Sequence, residues 1–176
     1  FEGRLILQVR SEGQVPLLMA ECDHELNIRG IARGAQEATA TSNDQLLRNG
    51  QLVITVDPAQ GKRYQGITAL EHGTLADSLG AYFEQSEQLK TRLWLAADGE
   101  RAAGLLLQQL PSQITQNEEV QQQQWEHAYS LASTITDSEL LSLDSTALLH
   151  RLYHQDPLRL FQPATVCFQC SCSRER

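Results

Sequence analysis

Short segments of alternating apolar and polar residues, joined in pairs by tight turns, are the feature that most restricts how this chain can fold. Residues 5–10 show the two-residue period of a half-buried strand. Pro58 and Gly61 favour a turn after one later segment, and Asp98-Gly99 favours a hairpin bend after another. The strands predicted in this way are residues 5–10, 17–22, 26–33, 52–56, 63–70, 92–97 and 102–109.

One amphipathic helix is predicted between the last two hairpins, over residues 74–89. Thr74 can cap its first turn, with Asp77 three residues later as the second member of the cap. Apolar residues recur along it at helical spacing, so one face can pack and the other can face water. Strands with a covering helix predict the α+β class: a sheet-based domain with covering helices that ends near Pro111.

The composition changes after Pro111, where residues 112–124 are rich in glutamine and carry few apolar side chains. Three short helical patterns follow. Either a helical subdomain or a weakly stable helical linker fits them, because few large apolar residues fall on each helix. The helical patterns cover residues 125–135, 137–143 and 145–154, and the candidate caps of the last two are Asp137, Ser138, Asp144 and Ser145.

The formal net charge of −8, from 22 acidic against 14 basic residues, disfavours DNA or RNA as the main ligand, since phosphate backbones attract basic surfaces. The apolar runs are far shorter than the roughly 18 residues that a spanning helix requires, so no membrane partner is predicted. Residues 1–4 lack the basic start and apolar core of a signal peptide. A cytoplasmic location is therefore predicted.

Three of the four cysteines, Cys167, Cys170 and Cys172, fall within six residues of one another, whereas Cys22 stands alone. In a chain without a secretion signal this clustering indicates metal binding or redox chemistry rather than a disulfide framework. Zinc prefers four tetrahedral ligands and binds thiolates well. Cys170 and Cys172 can reach one ion together and so predict one half of a zinc site.

Several residues of this sequence could supply the remaining ligands of such a zinc site. Cys167 could be a third ligand, and His150 and His154 are four residues apart on a predicted helix, a spacing that places two imidazoles on one face. The plainer interpretation is a half-buried strand thiol at Cys167 and two ordinary helix-surface histidines. A further Cys-x-x-Cys pair would complete the site most simply, and the sequence ends without one.

Redox chemistry is a second property of Cys170 and Cys172. Nearby Arg174 and Arg176 favour charged thiolates, which are the reactive form. Oxidation to a disulfide would remove two metal ligands, and structure that depends on the metal would then unfold. Beside a marginal helical segment such a centre is suited to act as a switch, although a permanently metal-held tail fits the same residues.

Residues 168–176, with the pattern Cys-x-Cys-Ser-Arg-Glu-Arg, resemble the signature of the redox-regulated thirty-three-kilodalton heat-shock proteins, a bacterial family of zinc-dependent holdase chaperones. Three other segments resemble family segments in the same order: residues 63–66, 82–93 and 151–154. The similarity extends over the whole chain.

The resemblance implies three parts: an α+β client-binding domain at residues 1–111, a metastable helical linker at residues 112–162, and the start of a zinc and redox-switch domain at residues 163–176. It implies that the reduced, zinc-bound form is inactive. Oxidation would pair the cysteines, with Cys170 and Cys172 in one switch disulfide, release zinc and unfold the linker. The activated protein would then dimerise and hold unfolding client proteins under oxidative stress without ATP.

The resemblance also implies that segments before Phe1 and after Arg176 are missing, including the Cys-x-x-Cys pair that would complete the zinc site. Cys167 departs from the family pattern and could mispair with Cys170. Two other functions stay open on the residues alone, a structural zinc-stapled interaction module and a thiol oxidoreductase. An enzyme is not predicted, because Cys-x-Cys lacks the usual Cys-x-x-Cys of a thioredoxin-like site.

Overall fold

The computed structural model describes residues 2–70, 73–111 and 117–169, which contain eight strands and five helices. The elements are β1 Gly3–Arg10, β2 Leu17–Asp23, β3 Asn27–Arg33, α1 Asn43–Leu46, β4 Gln51–Pro58, β5 Tyr64–Ala69, α2 Leu75–Ser86, β6 Thr91–Ala97, β7 Ala102–Gln108, α3 Glu118–Ala132, α4 Asp137–Ser142, α5 Ser145–Tyr153 and β8 Cys167–Phe168. The predicted α+β class is confirmed. None of the helices in the described ranges is long and apolar enough to cross a membrane.

The chain divides into two compact units, one made of Phe1–Ser78 with Pro163–Arg176 and the other of Leu79–Gln162. The division at residue 78 falls inside α2 and differs from the boundary predicted near Pro111. The three predicted parts were defined by their expected functions as well as by their structure, so they stay predictions. They are residues 1–111, 112–162 and 163–176.

The first unit is built on a six-stranded sheet with the order β5-β4-β1-β2-β3-β8. Its neighbouring strands are antiparallel except for β3 and β8, which are parallel. Val9 and Leu52 lie directly opposite each other on β1 and β4 and are both buried, as is Ile54. This end of one sheet face therefore forms the core of the unit.

The second unit combines the β6–β7 hairpin with helices α3, α4 and α5. Trp94 and Leu105, which are partners in the hairpin, pack against a cluster of buried residues from the helices. Burial of these apolar side chains is the main force that holds such short helices. The buried residues of this helical core are Ala132, Leu140, Leu148, Leu152 and Tyr153.

Helix α3 begins at Glu118, seven residues before the predicted start at Trp125, so the four consecutive glutamines at 121–124 are part of the helix rather than ahead of it. The side chain of Asn117 accepts a hydrogen bond from the backbone N–H of Glu119 at 3.0 Å. Acidic residues in the first turn complement the helix dipole, and glutamine is a good helix former. These local signals favour a helix over residues that lack an apolar helical period.

The start of α4 corrects a second prediction, because Thr136 caps it rather than Asp137 or Ser138. The Thr136 hydroxyl accepts from the Glu139 N–H at 3.3 Å, and the Glu139 carboxylate accepts from the Thr136 N–H at 3.0 Å. The Thr136 hydroxyl also donates to the Glu139 carboxylate at 3.0 Å, and the two bonds that this carboxylate accepts from Thr136 hold the pKa of Glu139 below its ordinary value. Asp144 caps α5 as predicted, accepting from two backbone N–H groups.

Thr136→Ala is expected to destabilise the second unit by about 1 kcal/mol, since it removes a capping box and leaves helix N–H groups unsatisfied. Ser138→Ala is the matched control, because Ser138 is the second residue of α4 and is not its cap. Urea unfolding followed by circular dichroism measures both. Equal losses in the two variants would contradict the assignment of Thr136 as the cap.

Candidate functional site

The cysteine pair that the sequence predicts as a zinc and redox site, Cys170 and Cys172, lies outside the described residues. The described structure includes the segment directly before it, where β8 lies parallel to β3. The N–H of Cys167 donates to the carbonyl of Leu26, and the N–H of Gln169 donates to that of Ile28, both at 3.0 Å. The backbone is therefore attached to the six-stranded sheet up to the residue before Cys170.

A turn between β2 and β3 positions the carbonyl that binds Cys167. The Asp23 carboxylate accepts from the backbone N–H of Glu25 at 2.9 Å and from the backbone N–H and side-chain amide of Asn27, both at 3.0 Å. The hydrogen bonds from Asn27 are the largest cause of the lowered pKa of Asp23. Leu26 adopts the left-handed region, with φ 63°, and so depends on these bonds to hold its strained backbone.

Asp23→Ala is expected to loosen the attachment of β8, because it removes three hydrogen bonds that hold the turn. Amide hydrogen exchange at Cys167 and Gln169 should become several-fold faster, an effect of local opening rather than global unfolding. At low pH, the amides of Cys167 and Gln169 in the wild-type protein should likewise lose part of their protection from exchange. Since the folded-state pKa of Asp23 is lowered, its contribution is fully present above its ordinary pKa and is lost as the pH falls through the lowered value.

The control for this prediction is Asp98→Ala, which removes a similar turn carboxylate from the β6–β7 hairpin. Asp98 accepts from the N–H groups of Glu100 and Arg101 at 3.1 and 2.8 Å. Its loss should affect exchange in that hairpin and leave Cys167 and Gln169 unchanged. Unchanged exchange at those two amides in Asp23→Ala would contradict the role given to the turn.

The two cysteines in the described structure are free thiols and are not placed to form a disulfide with each other. Cys22 lies on β2 and Cys167 on β8, with β3 between them. Two strand spacings put their Cα atoms about 10 Å apart, beyond the roughly 7 Å limit for a disulfide. Their side chains also lie on opposite faces, because Phe168 rather than Cys167 shares a row with Cys22. Mispairing of the exposed Cys167 with Cys170 stays a prediction.

His150 on α5 and His154, which caps the end of α5, are both exposed, and their ring centroids are 5.7 Å apart. Among the residues that the structure describes, no group of three or more His, Cys, Asp or Glu side chains is placed to hold a metal ion. A site that joins these histidines to Cys170 and Cys172 remains a prediction. The donor chemistry of Cys170 and Cys172 fits zinc and accounts for two of the four ligands that a structural site requires.

Polar contacts join the helices of the second unit around their small core. The Tyr153 hydroxyl donates to the carbonyl of Ala128 at 3.0 Å, and burial is the main cause of its raised pKa. Arg151 pairs with Glu139 at 2.7 Å, which links α5 to α4. A His127–Asp156 contact of 3.1 Å ties α3 to the residues after α5. The last two contacts are solvent-exposed, so they add little to the stability that the core supplies.

Aromatic rings extend the contact between the helices and the hairpin. Tyr129 on α3 lies between the two tryptophans of the chain, with centroid distances of 6.1 Å to Trp94 and 6.4 Å to Trp125. The Trp125 and Tyr129 rings are nearly parallel, at an interplanar angle of 9°. The helical segment is thus folded against β6 by a limited set of contacts.

The whole chain, residues 1–176, matches the protein family described as Hsp33 protein. The chain belongs to the Hsp33 family. The family resemblance inferred from the sequence is therefore confirmed. Curated relatives with the name 33 kDa chaperonin include those of Pseudomonas syringae pv. tomato, 59% identical over 180 residues, and Azotobacter vinelandii, 52% identical over 178 residues. These names denote a chaperone rather than an enzyme, in agreement with the prediction that this Hsp33-family chain is not an enzyme.

The chain spans only part of its Hsp33-family relatives. All of it aligns, but it covers 59% of the Pseudomonas syringae protein and 60% of that from Azotobacter vinelandii. The crystal structure of a 33 kDa chaperonin from Thermotoga maritima, described as a heat shock protein 33 homolog, superposes with a TM-score of 0.76 at 18% identity. The superposition covers 99% of this chain and 62% of that one, and it supports the α+β fold.

Sequence signals for two structural features, the cap of α4 and the turn between β2 and β3, were present but did not enter the prediction. Thr136 and Glu139 form the Ser/Thr-x-x-Glu pattern of a capping box, which distinguishes Thr136 from the neighbouring candidates. Asp23 precedes Asn27 by four residues within the polar break between two strands, a spacing that suits a side-chain-bonded turn.

Proposed function

We propose that the full-length protein is a redox-regulated, ATP-independent holdase chaperone of the bacterial cytoplasm, which binds unfolding proteins during oxidative stress. The observation that carries this proposal is the Hsp33-family match over all 176 residues, which include the Cys170-x-Cys172 pair. The name 33 kDa chaperonin of the relatives supports a chaperone. The acidic net charge of the chain supports client proteins rather than nucleic acid as the ligand.

In the proposed reduced state, Cys170 and Cys172 hold zinc as one half of a four-thiolate site that a second cysteine pair completes. Zinc in such a site supplies a cross-link that stabilises the structure around it. Gln169, the residue before Cys170, is hydrogen-bonded to the edge of the six-stranded sheet. That attachment holds the residue directly before the proposed site.

In the proposed activation step, the thiols of Cys170 and Cys172 join in a disulfide while one molecule of hydrogen peroxide is reduced to two molecules of water. A disulfide does not offer the thiolates that a metal requires, so metal binding is lost with the thiols. We propose that the linker at residues 112–162 then unfolds. The small core of α3, α4 and α5 supports this step, because few buried side chains need to separate.

The proposed active form is a homodimer that holds clients through apolar surface. The decisive test combines zinc analysis, thiol counting and suppression of client aggregation on the full-length protein before and after peroxide. Release of about one zinc as about four thiols disappear, together with a gain in suppression, is the expected result. Equal client binding in both redox states would favour the structural zinc-stapled module, and turnover of a disulfide substrate would favour a thiol oxidoreductase.

A further inference from the structure

Two exposed histidines lie one helical turn apart at the end of α5. His150 belongs to the last turn of the helix, and His154 is its C-cap. His154 keeps helical backbone angles, with φ −60° and ψ −17°, so the four-residue spacing places both imidazoles over the same face. Their ring centroids are 5.7 Å apart, at an interplanar angle of 32°. The pair is therefore a candidate two-imidazole chelate.

The distance between the two rings suits a shared metal ion. An imidazole nitrogen binds zinc at about 2.0–2.1 Å, which puts the ion about 3.2 Å from the centroid of each ring. Bond angles of about 90° to 180° at the ion then correspond to centroid separations of about 4.5–6.4 Å. The observed 5.7 Å falls within this range. Both side chains can therefore reach one ion from the helical backbone as it stands.

The helix that carries the two histidines is held by its other face and by its first turn. Leu148 and Leu152 are buried in the helical core of the second unit. Asp144 accepts from the backbone N–H groups of Thr146 and Ala147, both at 2.9 Å, which fixes the start of the helix. A fixed backbone lowers the entropy that is lost when two side chains bind one ion, so this pair is better organised for chelation than histidines on a loop.

The charged groups near the end of α5 are compatible with a bound cation. Arg151 follows His150 in sequence, but its guanidinium contacts the Glu139 carboxylate at 2.7 Å and the Thr134 hydroxyl at 2.7 Å. Its positive charge is therefore already paired. The C-terminal end of a helix also carries partial negative charge, which favours a cation in the last turn.

The kind and number of the ligands select the class of metal. Neutral imidazole nitrogens suit zinc, nickel and copper, whereas magnesium and calcium require oxygen ligands. In the parts of the chain that the structure describes, no third His, Cys, Asp or Glu side chain is grouped with this pair to hold a metal. Water would complete the coordination, so the ion would be exchangeable, unlike one in a closed four-thiolate site.

We propose that His150 and His154 form a two-histidine chelate for an exchangeable divalent transition-metal ion, and that the bound ion stabilises α5. Binding by both imidazoles requires their helical spacing, so the ion binds the folded helix in preference to the unfolded segment. The inference goes beyond the proposed chaperone function, and the site itself does not depend on that function.

The test uses the reduced full-length protein with Ni²⁺ as the probe, in isothermal titration, and resident zinc is measured before and after nickel is added. His150→Gln and His154→Gln should each raise the Kd for nickel at least about 10-fold, because a single imidazole lacks the second, intramolecular contact. At a nickel concentration about ten times the Kd, amide exchange within α5 should slow about 10-fold in the wild type and stay unchanged in both variants. Mg²⁺ at the same concentration should slow exchange in none of them.

His24→Gln is the matched control, since His24 is an exposed histidine in the turn between β2 and β3. It should bind nickel within about 2-fold of the wild type, because surface changes away from a binding site have small effects. Equal nickel binding by the wild type and both α5 variants, or binding without slower exchange in α5, would overturn the chelate. Loss of resident zinc from His150→Gln would also overturn it, because the histidines would then belong to the zinc site of Cys170 and Cys172.

One consequence of the chelate rests on the proposed chaperone function. α5 lies within residues 112–162, so a bound ion should oppose the proposed unfolding of this segment. Nickel at about ten times its Kd should slow activation by peroxide, measured as suppression of client aggregation, several-fold in the wild type and less in His150→Gln. Equal slowing in both proteins would remove the link to activation, whereas the metal site would stand.

Discussion

Leu152→Ala is expected to make the reduced protein behave as if it had been oxidised. Leu152 lies in the helical core of the second unit, and removing its side chain leaves a cavity that costs about 2–5 kcal/mol. The unit has few other buried apolar residues to compensate. Helical circular dichroism should be lost at lower urea concentration, and, if the linker acts as proposed, the reduced full-length variant should suppress client aggregation without peroxide.

The matched control is Leu158→Ala, which removes the same atoms from an exposed position after α5. Its effect on unfolding should stay within about 0.5 kcal/mol. A destabilised Leu152→Ala protein that remains inactive when reduced would separate linker unfolding from chaperone activation. That result would remove the central step of the proposed mechanism, whereas the structural account of the helical core would stand.

Cys170→Ser is expected to abolish zinc binding by the full-length protein. Loss of an outer-shell partner typically weakens metal binding roughly 10- to 100-fold, and loss of a direct thiolate ligand should exceed that. Zinc content after dialysis should fall to background, and peroxide should remove fewer thiols than in the wild type. The variant should also suppress aggregation before peroxide, because its linker would lack the support of the metal.

Cys22→Ser and Cys167→Ser are the controls, and both should retain zinc. Cys22 is half-buried on β2 and Cys167 exposed on β8, and neither belongs to the proposed ligand set. Loss of zinc from Cys167→Ser would instead identify Cys167 as a ligand. Retention of zinc by Cys170→Ser would contradict the assignment of the Cys-x-Cys pair.

The strands could be predicted from the sequence because alternation and turn residues act locally. Strand β6, for example, begins at Thr91 where residue 92 was predicted, and its bend falls at Asp98-Gly99 as expected. The start of α3 was missed because polar glutamines carry no apolar period. A cap at Asn117 and acidic residues in the first turn supply the helix signal there instead.

The candidate site was less accessible from the sequence, because its arrangement depends on distant pairing. β8 has only two residues, and its partner β3 lies more than 130 positions earlier in the chain, so no local sequence pattern predicts it. Cys170 and Cys172 were identified by their spacing and by the family resemblance, and their role stays a prediction.

The position of Trp94 and Trp125 makes the intrinsic fluorescence of this chain a selective reporter. Both tryptophans belong to the second unit and flank Tyr129, whereas the six-stranded sheet contains none. A change in emission after mixing with peroxide would therefore time the opening of the helices without any attached label. Recorded beside thiol loss in the same sample, it would give the order of the two events.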